Sequence, residues 1–244
     1  MTETVDAAEI GKFDRMAATW WDADGEAKPL HRMNPVRLDY IRDHVCAQYG
    51  RDPAVIRPFD GLSVVDVGCG GGLLCEPMAR LGGDVTGADP SAEAISVARD
   101  HAEAHGLSIN YRAEPAAALV EEGARFDVVL AMEIVEHVAD IPAFLSDIAA
   151  LAKPGALIFL STLNRTAKSY ALAIGAAEYV LRWLPRGTHD WNKFPTPAEL
   201  EAALVEAGLV VVDDTGFTYA ILRDKWSRSD DMSVNYALVA EKPH

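Results

Sequence analysis

Cysteine is scarce in this chain. Cys46, Cys69 and Cys75 are the only three among 244 residues, and no Cys-x-x-Cys occurs. That excludes a disulfide-stapled scaffold or a cysteine-rich zinc site and points to a reducing, cytoplasmic setting. Basic charge is short as well: 22 Lys and Arg stand against 37 Asp and Glu, a net charge of −15. The phosphate-neutralising surplus of a general nucleic-acid binder is missing, so no nucleic-acid partner is expected, and the acidity reads as a solubility feature. No uninterrupted apolar run reaches the roughly eighteen residues of a membrane-spanning helix. The N-terminal "MTETVDAAEIGKFDRM" lacks the basic region and apolar core of a secretory signal. Internal repeats and low-complexity segments are absent too.

What is present suits one α/β domain with an appendage: half the residues are apolar, enough for a sizeable core. Ile10, Phe13 and Ala17 predict a short helix over 6–19. "WWDADGEAKPLHRMNP" reads as an ordered loop, and Pro35 opens a helix to about Gln48 through Val36, Tyr40, Ile41, His44 and Val45. Residues 1–60 thus form an N-terminal helical segment on the core, and 61–244 the main domain.

From Leu62 onward strands and helices alternate. Strands are predicted at 62–67, 84–88, 108–113, 126–131 and 156–161, with helices at 73–82, 91–105, 115–122 and 141–152. This alternation predicts a doubly wound, mostly parallel sheet. A helix pair at 166–184 interrupts it. A helix over about 197–207 and strands near 209–217 and 232–240 finish the chain.

The stretch "SVVDVGCGGGLL", residues 63–74, puts glycines at 68, 70 and 72 between a strand and a helix. Glycine is needed where backbone turns with positive φ or passes close to a ligand. A dinucleotide fingerprint would want glycine at position 73, where Leu73 stands. Asp89 ends the next strand, about twenty residues beyond Gly68, where a carboxylate can accept both ribose hydroxyls. Asp66 adds negative charge beside the loop, which suits a ligand carrying an ammonium and a sulfonium and repels a pyrophosphate.

These residues resemble the class I S-adenosylmethionine-dependent methyltransferases, whose seven-stranded, Rossmann-like sheet ends in an antiparallel strand. The likeness narrows outside the loop. "FDRMAATWWDADGEAKPLHRMNPVRLDYI", "AMEIVEHV", "STLNRTAKSYALAIGAAEYVLRWLPRGTHDWNKFPTPAEL" and "VNYAL" together are similar to the ubiquinone-biosynthesis O-methyltransferases, over about residues 9–240. The resemblance implies transfer of a methyl group to phenolic oxygens at two stages, on a polyprenylated hydroxyphenol and on a demethylated quinol. It also implies S-adenosylmethionine as cofactor, the polyprenyl lipid and other ubiquinone-biosynthesis enzymes as partners, and cofactor contacts at Arg37, Gly68, Asp89 and Met132, joined by Asp66 and Gly70 of the loop. Arg37 suits the cofactor carboxylate as a bidentate donor, and Met132 can pack on the adenine. The rival readings are a methylase of another small phenol or catechol, a nicotinamide-dependent oxidoreductase, and a non-catalytic scaffold. Leu73 and Asp66 argue against the oxidoreductase, and an intact cofactor loop against the scaffold.

A phenol has a pKa near 10, so a base or a metal should favour phenolate at neutral pH. "Met132-Glu133-Ile134-Val135-Glu136-His137" follows the fourth strand, at the strand ends where open α/β sheets bind ligands. If the turn is helical, Glu133, Glu136 and His137 share one face. Histidine is uncommon in oxygen-rich Mg²⁺ sites, but some members of the family are described as Mg²⁺-dependent. The expectation is that these three bind Mg²⁺ or act directly as base, with Glu133 and His137 as catalytic candidates and His189 in "GTHDWNKF" as a second base.

Residues 165–195 form a further insertion, read as a lid or membrane-interaction segment. Arg165, Lys168, Arg182, Arg186 and Lys193 outnumber Glu178 and Asp190 there, around Tyr170, Tyr179 and Trp183. Such a basic-flanked aromatic segment suits an anionic membrane surface, implying a cytoplasmic protein weakly and peripherally associated with the inner membrane. Trp20 and Trp21 are read as anchors of the N-terminal segment.

Overall fold

The structure is a computed structural model. It describes residues 11, 14, 16–172, 190–220 and 223–244.

Valine-rich runs build the centre of the sheet. β1 (Ser63–Val67) pairs in parallel with β2 (Asp84–Ala88) on one side and β4 (Phe126–Met132) on the other. Val64, Val65, Val128 and Val129 are fully buried there, as expected for central parallel strands covered on both faces. β3 (Asn110–Arg112) flanks β2, and β5 (Ala152–Leu163) flanks β4. β8 (Asn235–Glu241) runs antiparallel between β5 and β6 (Val210–Ala220), while β7 (Lys225–Ser229) closes a hairpin on β6. The strand order is β3-β2-β1-β4-β5-β8-β6-β7. The expected doubly wound sheet is therefore present, with β7 added to the seven strands anticipated. "KWSRS" alternates little in hydrophobicity, and β7 is held by its hairpin partner rather than by a buried face.

Two cores cover the two faces. One places Tyr40, Ile41 and Val45 of the Lys28–Gln48 helix, Met78 and Ile95 against the sheet; the other uses Leu119, Leu145, Ile148 and Leu204. Three helix starts in the main domain show side-chain capping. The Ser91 side chain accepts from Ala94 N, the Asp140 side chain from Ala143 N, and Thr196 and Glu199 form a reciprocal capping box.

The first long helix departs from expectation. It begins at Lys28, with Pro29 in its first turn and Pro35 inside it. Pro29, not Pro35, is the initiating proline. The extra turns are held from outside, because Asn34 Nδ2 donates to Leu73 O at 2.9 Å, fixing them to the glycine loop. The helix expected over 6–19 lies largely outside the described residues, and Ala17–Thr19 form a 3-10 turn. Most of the expected 166–184 helix pair lies outside them too.

Candidate active site

The strand order reverses beside β1, where β2 and β4 leave in opposite directions, and the loop after β1 opens into that crevice. The cavity there is lined by Arg37, Asp66, Gly68, Gly70, Asp89, Met132, Glu133 and His137, together with Trp20 and Phe144. The residues expected to hold the cofactor thus converge from four elements: the N-terminal helix and the ends of β1, β2 and β4.

Gly68 and Gly70 have φ of 72° and 51°, the left-handed region where a side chain is strained. A Cβ on Gly70 would stand 2.3 Å from Trp20 Cζ2. Close approach at this loop thus involves an indole of the chain itself. Trp21 Nε1 donates to Gly71 O at 2.9 Å. The two tryptophans do anchor the N-terminal segment as expected, but they anchor it to the glycine loop, and Trp20 lines the cavity.

Asp89 accepts from Gly70 N at 2.9 Å and from Ser91 N at 2.8 Å, and burial raises its pKa. These two amides aim the carboxylate at the cavity while leaving lone pairs on both oxygens. Burial pushes Asp66 up to about 7, although a Cys75 thiol donating at 3.3 Å and the nearby Arg37 oppose the shift. The expected negative charge at Asp66 is therefore only partial at neutral pH.

Arg37 is buried, and its guanidinium donates to Asn34 Oδ1. Burial lowers its pKa, while Glu133 and Asp66 support the charge. Its Nε has no hydrogen-bond partner. A buried cation with an unused donor beside a cavity fits an incoming carboxylate.

The β4 turn differs from expectation in a way that matters for chemistry. Glu133 adopts φ 57°, uncommon for a residue with a side chain and of the kind that clusters at functional sites. It is held by its own N–H to Ser161 O at 2.8 Å and by Ser161 Oγ donating to Oε1 at 2.6 Å. Val135–His137 is a 3-10 turn, not an α-helix. Glu133, Glu136 and His137 consequently do not share one helical face.

Glu136 points inward. Thr162 Oγ1 donates to its Oε2 at 2.7 Å, its Oε1 is buried without a partner, and burial pushes its pKa up to about 7. It does not line the cavity, whereas Glu133 and His137 do. The three do not converge as a metal-ligand set; among the described residues, the group whose ligand atoms come together is Glu76, His101 and His105, elsewhere. A Mg²⁺ site at the β4 turn therefore does not fit this geometry. His189 lies outside the described residues.

Sequence reasoning missed Ser161 and Thr162, the β5 hydroxyls that position the two glutamates. Their signal was a polar pair at the end of an otherwise apolar strand.

Comparison with known proteins decides the family. A family profile described as a methyltransferase domain matches residues 38–214. Proteins named ubiquinone biosynthesis O-methyltransferase are similar over the whole length. That of Brucella anthropi is 57% identical over 247 residues, covering all of both chains. That of Chelativorans sp. is 58% identical over 240 residues, 98% of this chain and 95% of the relative. This chain belongs to the ubiquinone biosynthesis O-methyltransferase family. As a member it is an S-adenosylmethionine-dependent O-methyltransferase.

Solved structures at lower identity show the fold. The magnesium protoporphyrin IX methyltransferase of Synechocystis PCC 6803, solved with bound S-adenosylmethionine, is 21% identical, with a TM-score of 0.63 over 99% of this chain and 100% of that one. A methyltransferase from Clostridium acetobutylicum is 14% identical, with a TM-score of 0.62 over 96% and 99%. Both place this O-methyltransferase in the class I fold. Among the described residues no helix is long and apolar enough to cross a membrane.

Proposed function

We propose that the crevice beside β1 binds S-adenosylmethionine and that the acceptor is a polyprenylated phenol, methylated at both O-methylation steps of ubiquinone biosynthesis. The observation that carries this reading is the full-length likeness, 57% over both chains, to a relative of that name. The site supports it residue by residue. Arg37, with its unused Nε donor, takes the cofactor carboxylate, and Asp89 takes the ribose hydroxyls. Gly68 and Gly70 keep the loop backbone open to the ligand, and Met132 at the end of β4 packs on the adenine side. Bound there, the cofactor supplies an electrophilic methyl group on a sulfonium.

His137 is the general base in this reading. It lines the cavity, and its ring lies electrostatically close to Glu136, a buried carboxyl that supports the imidazolium formed when the phenol gives up its proton. Glu133, fixed by Ser161, is the second group at hand for that proton. No step runs through a divalent ion.

A second hollow, lined in part by Val138, Ile141, Arg165, Phe194 and Leu200, shares Val138 with the cofactor crevice. Its lining is mixed: Val138, Ile141, Phe194 and Leu200 suit the acceptor's lipid side, while Arg165, Asn192, Lys193 and Glu199 are polar. Residues 165–195, with their basic-aromatic composition, would bring the protein to an anionic membrane surface from the cytoplasm, as a lid on a domain formed by 61–244 and covered by 1–60.

The test is direct. Purified protein, S-adenosylmethionine, and either a short-chain prenyl hydroxyphenol or the matching demethylubiquinol should yield S-adenosylhomocysteine and the O-methyl product of each. If the cofactor binds and neither acceptor is methylated, the substrate assignment is wrong. Sedimentation with anionic liposomes tests the membrane arm: binding unchanged after deletion of 166–184 from a folded protein would refute it.

A further inference from the structure

Beside the glycine loop, behind the cavity lining, stands a chain of three side chains, Trp21, His101 and Glu76. Trp21 donates through its Nε1–H to Gly71 O at 2.9 Å. Its indole lies flat on His101, with ring centroids 3.5 Å apart and planes 4° from parallel. His101 Nδ1 is 2.5 Å from Glu76 Oε1. Glu76 lies in the first turn of the helix that follows the loop, its side chain 3% exposed, and its own N–H bonds back to Gly72 O at 3.2 Å. The contacts therefore close a ring that begins at the carbonyl of Gly71 and ends at the carbonyl of Gly72.

Each link has a physical reason to be stiff. A nearly fully buried carboxylate needs a cationic or hydrogen-bonding partner, and Arg80, at 3.5 Å and half-exposed, is a weak one. His101 is thus the principal partner of Glu76. With one ring nitrogen committed to that carboxylate, the plane of His101 is fixed, and the stacked Trp21 is fixed with it. His105 covers the other face of His101, with centroids 4.1 Å apart. The ligand atoms of Glu76, His101 and His105 come within 4.8 Å of one another, as a metal site would require. Those of Glu76 and His101 are, however, already engaged with each other.

We propose that Trp21 and His101 are positioning residues for cofactor binding: together with Glu76 they hold the Gly71–Gly72 peptide in the orientation that leaves Gly68 and Gly70 facing the crevice. This rests on the proposed cofactor reading. A loop with glycine at four of the five positions 68–72 is costly to order, and here that cost is met before ligand arrives, by side chains that do not line the cavity.

The test is calorimetric titration with S-adenosylhomocysteine of the wild-type chain, W21F, H101F and the double variant. W21F keeps a smaller aromatic ring over His101 and removes the N–H that reaches Gly71. H101F keeps a ring but strands Glu76, so E76Q with H101F provides a background without the buried charge. Each single variant is expected to weaken binding by about 3- to 10-fold, the worth of one hydrogen bond. The double variant should be no weaker than the poorer single one, because both act on one peptide. The KM for the phenolic acceptor should stay within about twofold in W21F, a split that general destabilisation would not produce. Wild-type affinity in W21F, or losses that multiply in the double variant, would overturn the proposal. If the wild-type chain itself gives no heat, it is the cofactor reading that fails.

Discussion

Thr162 Oγ1 donates to Glu136 Oε2 at 2.7 Å, the one bond from another side chain that this carboxyl, 3% exposed, receives among the described residues. The other oxygen, Oε1, faces protein with no partner. A carboxyl in that position resists ionisation, which is why its pKa stands at about 7 rather than near 4.5.

Stability should therefore depend on pH in a defined direction. Because the folded-state pKa is raised, the folded protein binds the extra proton between about 4.5 and 7, and stability falls as pH rises through that window. The full effect is on the order of 3 kcal/mol from this one group. Asp66, also held at about 7 against an ordinary 3.8, adds in the same sense. Urea denaturation from pH 5 to pH 8 should show the decline. Glu136→Gln should make it shallower, leaving the part due to Asp66, and raise stability at pH 8 by about 1–2 kcal/mol. An unchanged slope would show that the carboxyl titrates normally.

The same substitution should cost activity. Without a carboxylate behind it, His137 loses the partner that supports its protonated form, and kcat is expected to drop by about 10- to 100-fold. The KM for the cofactor should stay near wild type, since Glu136 does not line the cavity. Steady-state kinetics separate the two parameters.

Arg37→Lys keeps the charge and removes the planar fork. Lysine satisfies the Coulomb attraction to Glu133 and Asp66 but cannot present two parallel donors to a carboxylate. The dissociation constant of S-adenosylhomocysteine, measured by calorimetry, should rise by about tenfold or more. Equal affinity would mean that Arg37 is structural.

Gly70→Ala combines two penalties. The residue sits at φ 51°, and its new methyl would lie 2.3 Å from the Trp20 ring. The expected loss is about 2–3 kcal/mol in thermal or chemical denaturation, of which about 1 kcal/mol is backbone strain. Adding Trp20→Ala should return the steric part in a double-mutant comparison with Trp20→Ala alone, and leave the strain.

Much of this was legible along the chain. The alternation of β-branched runs with capped helices required a parallel sheet, because a strand buried on both faces and a helix with one apolar stripe each signal themselves locally. Gly68, Gly70 and Asp89 were legible as one site because a β-strand, a tight turn and the next strand's end are near neighbours in sequence. Arg37 was reached only through resemblance; on the bare helix it reads as an exposed residue, yet it is 2% exposed.

What lay beyond the sequence depended on contacts between distant segments. Spacing alone places Glu133, Glu136 and His137 on one helical face. Ser161 and Thr162, on a neighbouring strand, instead hold Glu133 in the left-handed region and Glu136 inward. Local spacing thus determined which residues gather at the crevice, since backbone geometry propagates along a strand or a helix. Tertiary structure alone decided which way they face, and put Trp21, His101 and Glu76 in one stack beside the loop, because burial and hydrogen bonding are settled between elements rather than within them.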